Sequence, residues 1–249
     1  PGTETRLFRF DGLAGERLVF DTVNSGSVRY RLLGPAGQTV VGVAGLAPLD
    51  PLVLPEDGSY LLLIEGDPFA AGPAPFAFRL TPVSRAELSL DIGEVIDASI
   101  ETIGAAHAYS FTLDDAARLY FDSLSANRSD MVWSLVGPRG TEVNARAFSA
   151  SNEWGLPGGT SPTFDLPPGE YTLIVTGTVA ATGRYAFRLF DLGDATDIAY
   201  GDRVTATLDP ASATAAFAFD AARGDRITLT PVGNQPFVRL IDAFGRQAY

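Results

Sequence analysis

Few residue types in this chain could carry chemistry, and their spacing limits what that chemistry could be. His107 is the only histidine and there is no cysteine. A multi-histidine metal site and a thiolate site are therefore out of reach. There is no Gly-x-Ser-x-Gly elbow, phosphate loop or dinucleotide fingerprint. Gly155-Leu156-Pro157-Gly158-Gly159-Thr160 is glycine-rich, but it contains a proline and no lysine follows, so it reads as a loop. No catalytic residue is assigned, and a non-enzymatic chain is expected.

Two groupings remain. Asp191, Asp194, Asp197 and Asp202 follow one another along a short stretch and offer the hard oxygen ligands that Ca²⁺ prefers. The expectation they raise is a calcium-stiffened junction. The competing one is a solvated linker in which aspartates serve turns. Calcium is the one cofactor the residues raise. Asn152, Glu153 and Trp154 place an indole among polar neighbours, a platform on which a sugar face can stack. The competing expectation is that the indole folds back over a sheet edge. Glu153 and Asp165 are a carboxylate pair on paper, but 30 acidic residues make such pairs commonplace.

The charge balance excludes other classes. Thirty acidic residues against 18 basic ones, all arginine, leave a formal charge of −12. That field repels a phosphate backbone, and no basic cluster exists to hold anionic lipid. No window approaches the roughly 20 apolar residues of a membrane span. Neither nucleic acid nor membrane insertion is expected. The opening Pro1-Gly2-Thr3-Glu4 has no basic-then-apolar signal pattern and no initiating methionine, so a processed chain or a piece of a longer one is expected.

The elements that must position these residues are repeated. Phe8-Arg9-Phe10 followed by Arg17-Leu18-Val19-Phe20 recurs as Tyr109-Ser110-Phe111 with Arg118-Leu119-Tyr120-Phe121, and as Phe217-Ala218-Phe219 with Arg226-Ile227-Thr228-Leu229. The spacing from the last aromatic of the first motif to the arginine is 7 in each copy. Leu32-Leu33-Gly34-Pro35-Ala36-Gly37 matches Leu135-Val136-Gly137-Pro138-Arg139-Gly140, with a weaker echo at Leu240–Gly245. Gly58-Ser59-Tyr60-Leu61-Leu62 matches Gly169-Glu170-Tyr171-Thr172-Leu173, and Phe76-Ala77-Phe78-Arg79-Leu80 matches Tyr185-Ala186-Phe187-Arg188-Leu189. Ile92-Gly93-Glu94-Val95-Ile96 and Tyr200-Gly201-Asp202-Arg203-Val204 precede the second and third copies only. The expected division is residues 1–84 (a repeat without its opening strand), 85–193 (complete) and 194–249 (a first half).

Alternating apolar residues bounded by Gly, Pro and Asp turns predict short strands, and no stretch keeps a helical stripe over three turns. The fold expected is all-β, tandem antiparallel β-sandwiches of jelly-roll-like form. Leu61 and Leu63 make their strand apolar on both faces, as a central strand or one beneath a neighbouring unit would be. A tyrosine opening a strand after Gly58 or Gly169 can bury its ring and bond its hydroxyl to backbone across the corner.

Taken together, these motifs resemble the bacterial pre-peptidase C-terminal (PPC-like) domain over essentially the whole chain. The resemblance implies accessory β-sandwiches of secreted peptidases, or tandem modules of large surface and adhesin-like proteins. It also implies an acidic pair, used by some members for calcium, just before the aromatic strand. Here Glu4-Thr5-Arg6, Ala106-His107-Ala108 and Thr214-Ala215-Ala216 stand there instead. The expected function is a non-enzymatic, extracellular or cell-surface structural or adhesive module of a longer bacterial surface or fibre protein. Its expected partners are neighbouring repeats, further copies in a fibre, or a surface glycan. The alternative is an accessory substrate- or glycan-binding module of a secreted peptidase or other hydrolase.

Overall fold

A computed structural model describes residues 4–24, 28–45, 51–69, 72–125, 127–152, 163–178, 181–230 and 237–246. Its regular structure is nearly all strand. The first set comprises β1 (Thr5–Gly12), β2 (Arg17–Asn24), β3 (Val28–Leu33), β4 (Thr39–Gly45), β5 (Leu52–Val53), β6 (Gly58–Gly66) and β7 (Ala77–Val83). It forms one sheet ordered β1-β6-β3-β4 and another ordered β5-β2-β7. The second set comprises β8 (Arg85–Ser89), β9 (Val95–Ile100), β10 (Ala106–Leu113), β11 (Ala117–Ser123), β12 (Met131–Gly137), β13 (Gly140–Ala147), β14 (Thr163–Leu166), β15 (Gly169–Gly177) and β16 (Gly183–Asp191). Its sheets run β13-β12-β15-β10-β8 and β14-β11-β16-β9. Beyond them, β17 (Thr196–Asp197) pairs with β18 (Phe217–Ala218).

With β8 and β9 set aside, the two sandwiches have the same strand order. β10-β15-β12-β13 follows β1-β6-β3-β4, and β14-β11-β16 follows β5-β2-β7. The registers agree residue by residue. Phe10 faces Tyr60 as Phe111 faces Tyr171, and Phe20 faces Leu80 as Phe121 faces Leu189. A one-residue slip in any strand would turn its apolar set outward, so this agreement fixes which side chains fill each core.

The cores follow from the alternation. Leu18, Phe20, Tyr30, Leu32, Tyr60, Leu62 and Ile64 close the space between the first two sheets. Leu119, Phe121, Trp133, Leu135, Tyr171, Leu173, Phe187 and Leu189 do so in the second sandwich. β6 and β15 are interior strands, which is why Leu61 and Leu63 are half-buried on the outer face. Trp133 is fully buried, lies flat on Phe121 at 3.9 Å between ring centroids, and donates its indole N–H to Ser151 Oγ at 2.8 Å. Burying rings of this size contributes on the order of 2–3 kcal/mol each.

One corner is built the same way in both sandwiches. Phe10 stacks on Tyr60 at 5.5 Å and Phe111 on Tyr171 at 5.2 Å. Each tyrosine hydroxyl donates to the carbonyl four residues upstream, Tyr60 to Glu56 at 2.6 Å and Tyr171 to Pro167 at 2.7 Å. Gly58 and Gly169, which open these strands, have φ of 140° and 148°. A Cβ at either would meet the ring of the turn proline, Pro35 Cγ at 2.6 Å or Pro138 Cγ at 2.4 Å. The Gly-Pro-x-Gly turn and the Gly-x-Tyr strand are thus two halves of one contact.

In one respect the pairing departs from a purely antiparallel sandwich. β8 runs parallel to β10, and β17 parallel to β18. The reason is the path of the chain: between β8 and β10 it crosses to the opposite sheet as β9, so no hairpin joins the pair. Leu88 lies opposite Tyr109 and Thr196 opposite Phe217, the same separation of 21 residues.

The corner can be tested directly. Tyr171→Phe keeps the ring and loses the hydroxyl bond, and should cost about 1 kcal/mol in urea unfolding. Gly169→Ala should cost more, because it adds backbone strain and a clash with Pro138.

Candidate functional site

A dense polar cluster lies where the chain after β16 folds back onto the second sandwich. Asp122 on β11 is fully buried and accepts from Arg188 Nη2 of β16 at 2.9 Å. Its carboxylate also accepts from the Thr214 backbone N–H at 3.1 Å, while Arg188 donates to the Thr214 carbonyl at 2.7 Å. One residue from the following segment is therefore held at both its N–H and its C=O by one ion pair. Thr214 Oγ1 lies 3.3 Å from Tyr120 OH, and Ser212 Oγ donates to the Leu124 carbonyl at 3.1 Å. The Arg188 guanidinium also sits over Phe190, 4.7 Å from the ring centroid.

Each partner comes from a repeated position. Asp122 and Arg188 face each other across β11 and β16, as Asp21 and Arg79 do across β2 and β7. Ser212 lies five residues before Phe217, and Gly104 five before Tyr109. At that earlier position a Cβ on Gly104 would meet Val19 Cγ2 at 2.2 Å and Pro51 Cγ at 2.9 Å. Val19 and Tyr120 occupy equivalent places, one residue before Phe20 and Phe121, and both are buried. The loop that leads into β10 thus lies on β2 as the loop that leads into β18 lies on β11.

Asn152 belongs to this joint. Its Oδ1 accepts from Ser123 N at 2.9 Å, and its Nδ2 donates to the Ser123 carbonyl at 3.0 Å and the Ser212 carbonyl at 3.1 Å. The amide ties the second sandwich to the next segment and is engaged with backbone rather than turned to solvent. Glu153 and Trp154, its proposed companions in sugar stacking, lie outside the described residues. Asp165, the other half of the paper carboxylate pair, is held by Arg118 Nε at 2.6 Å.

The four aspartates are not gathered into one site. Asp191 caps the 3-10 turn Leu192–Asp194 by accepting from Gly193 N at 2.8 Å, and Asp202 accepts from Ala199 N at 2.8 Å. Asp194 and Asp197 are exposed. Among the described residues no three His, Asp or Glu side chains converge as a metal site. Asp191 and Asp194 do line a cleft of about 420 Å³ beside the joint, with Asp209 and Arg188.

His107 sits on β10, an interior strand covered by β8, and not at a strand edge. Its Nδ1 lies 2.6 Å from Tyr185 OH, which lies 2.6 Å from Tyr109 OH. Burial lowers the imidazole pKa, and burial with the Tyr109 contact pushes Tyr185 up. The three side chains thus form one hydrogen-bond chain between β10 and β16. The aromatic strand motif shows the rings in the sequence but not this linkage. Asp122 and Arg188 were missed for a similar reason. Their signal, an acid after Phe20/Phe121 and an arginine before Leu80/Leu189, is overshadowed by the aromatics around it.

Two outcomes follow from these contacts. Asp122→Asn should destabilise the second sandwich by about 3 kcal/mol, the scale for breaking a buried pair, and should speed amide exchange at Thr214. His107 is held neutral in the fold, so its contribution is full above the ordinary imidazole pKa and declines as the pH falls below it. Unfolding free energy should fall between about pH 7 and 5, and His107→Gln should flatten that slope.

No family model matches the sequence, and no curated protein is found to match it. Among solved structures, the chain is similar to the pre-peptidase C-terminal domain of collagenase from Bacillus anthracis, with 18% identity over 44% of this chain and 97% of that one, at a TM-score of 0.31. It is also similar to the CUB1-EGF-CUB2 region of human MASP-1/3, with 9% identity over 76% of this chain and 94% of that one, at a TM-score of 0.26. At such scores neither neighbour says anything of what this chain binds. No helix among the described residues is long and apolar enough to cross a membrane.

Proposed function

We propose that this chain is a non-enzymatic, extracellular structural or adhesive module, built from tandem PPC-like sandwiches of a longer bacterial surface or fibre protein. The observation that carries this reading is the joint. The same loop of the following segment covers the same strand of the preceding sandwich at two successive places, Gly104 on Val19 and Ser212–Thr214 on Tyr120–Leu124. A module that buries its own core and offers its successor a fixed seat extends a chain through nearest-neighbour contacts alone. Connections are short: one residue, Ser84, separates β7 from β8, and a single 3-10 turn stands between β16 and β17. Little chain is free to swing. The net charge of −12 keeps exposed sheet edges of different chains apart.

The alternative, an accessory module of a secreted hydrolase, predicts different neighbours. Reading the coding frame on both sides of these residues separates the two. Further copies carrying the Phe-Asp and Arg-Leu pairs of Asp122 and Arg188 are the expected result. A peptidase or glycosidase domain directly adjoining a lone pair of sandwiches would overturn the fibre reading in favour of the accessory one.

A further inference from the structure

The repeated arginine near the start of β2 and β11 has different partners in the two sandwiches. In the second, Arg118 stands opposite Asp165 in the register. Its Nε donates to Asp165 Oδ1 at 2.6 Å and its Nη1 to the Ala243 carbonyl at 3.0 Å. In the first, Arg17 stands opposite Val53. The carboxylate has been replaced by an isopropyl group, and Val53 remains 48% exposed.

Arg17 finds no substitute. Its Nε is buried with no hydrogen-bond partner, and its guanidinium makes no ion pair with any described residue. Burial and the nearby Arg85 lower its pKa. The other charges at the site are already engaged. Arg85 pairs with Glu87 at 2.8 Å, and Glu16 accepts from the Leu13 N–H at 3.1 Å. Around Arg17 a cleft of about 480 Å³ opens between β2, β5 and β8, walled by Val53 and Val83 and flanked by Gly15, Arg85 and the two engaged carboxylates, Glu16 and Glu87. An uncompensated, partly desolvated guanidinium costs free energy that an arriving anion recovers. A planar carboxylate matches its donor fork.

We propose that this cleft binds the carboxylate group of an external ligand, which takes beside Arg17 the place that Asp165 fills beside Arg118. The cleft admits one such group with a small ring or side chain behind it, and its valine walls favour an apolar face on that body. The site is independent of the fibre reading: it requires only the first sandwich and β8.

The test follows the Arg17 Nε–Hε resonance of the whole chain by NMR at constant ionic strength. Sodium acetate supplies the bare group, sodium glucuronate supplies it on a sugar ring, and methyl glucoside and chloride serve as the neutral and plain-anion comparisons. Saturable shifts with acetate and glucuronate, with midpoints through the tens of millimolar or below, are expected. A lower midpoint for glucuronate would identify the sugar-borne group, and equal midpoints the bare carboxylate. Val53→Asp supplies an internal carboxylate and should weaken binding about tenfold or more while raising the melting temperature. Val53→Asn, neutral and similar in shape, should leave binding intact. An Arg17 resonance that does not move, moves equally with chloride or methyl glucoside, or responds unchanged in Val53→Asp would overturn the proposal.

Discussion

Asp122 has no access to water, so its charge must be met by groups of the protein. A carboxylate buried there without partners would cost several kcal/mol. Arg188 supplies the opposite charge from the neighbouring strand, but one guanidinium nitrogen does not satisfy two carboxylate oxygens. Oδ2, which takes the guanidinium N–H, also accepts from the backbone N–H of Thr214, 92 residues on, while Oδ1 accepts from Asn152 Nδ2 at 3.5 Å. A group that pairs two strands within a sandwich therefore also requires the next segment to be present. Packing within one sandwich and the seating of its successor are the same interaction, and the rest of the joint, Asn152 and Ser212 included, is arranged around it.

The same economy governs the rigid corner. The proline of the Gly-Pro-x-Gly turn occupies the space that a side chain on Gly58 or Gly169 would need. The tyrosine two residues later then closes the corner with its hydroxyl. Neither motif is a turn signal alone; each is a complement to the other. This explains why they recur together and why the registers of the two sandwiches coincide. Where the sandwiches differ, as at Arg17 and Arg118, the difference stands out because the strand register on either side of it is the same.

Much of this is legible in the amino-acid sequence. Alternation and repeated spacing point to strands, to their faces and to the interior place of the strand carrying Leu61 and Leu63. The tyrosine hydroxyl bond follows from glycine before tyrosine. What spacing could not convey was pairing at long range. The parallel approach of β8 to β10 depends on a crossing through the opposite sheet, which no local pattern encodes. The aspartates from Asp191 to Asp202 look like ligands because they are close in sequence, yet Asp191 and Asp202 each accept a backbone N–H of their own loop. Asn152 drew attention through its neighbour Trp154, whereas its amide serves backbone groups at Ser123 and Ser212. The acid that matters most, Asp122, is hidden in an apolar strand where composition alone gives no reason to single it out.

The central claim is that the segment carrying Thr214 is held in a fixed orientation on the second sandwich. Residual dipolar couplings in a weakly aligning medium measure this directly. The account predicts that amide couplings from β10–β16 and from residues 209–218 fit a single alignment tensor, and that Asp122→Asn makes the second group diverge from it. Two unrelated tensors in the unaltered protein, or reduced couplings confined to 209–218, would contradict it.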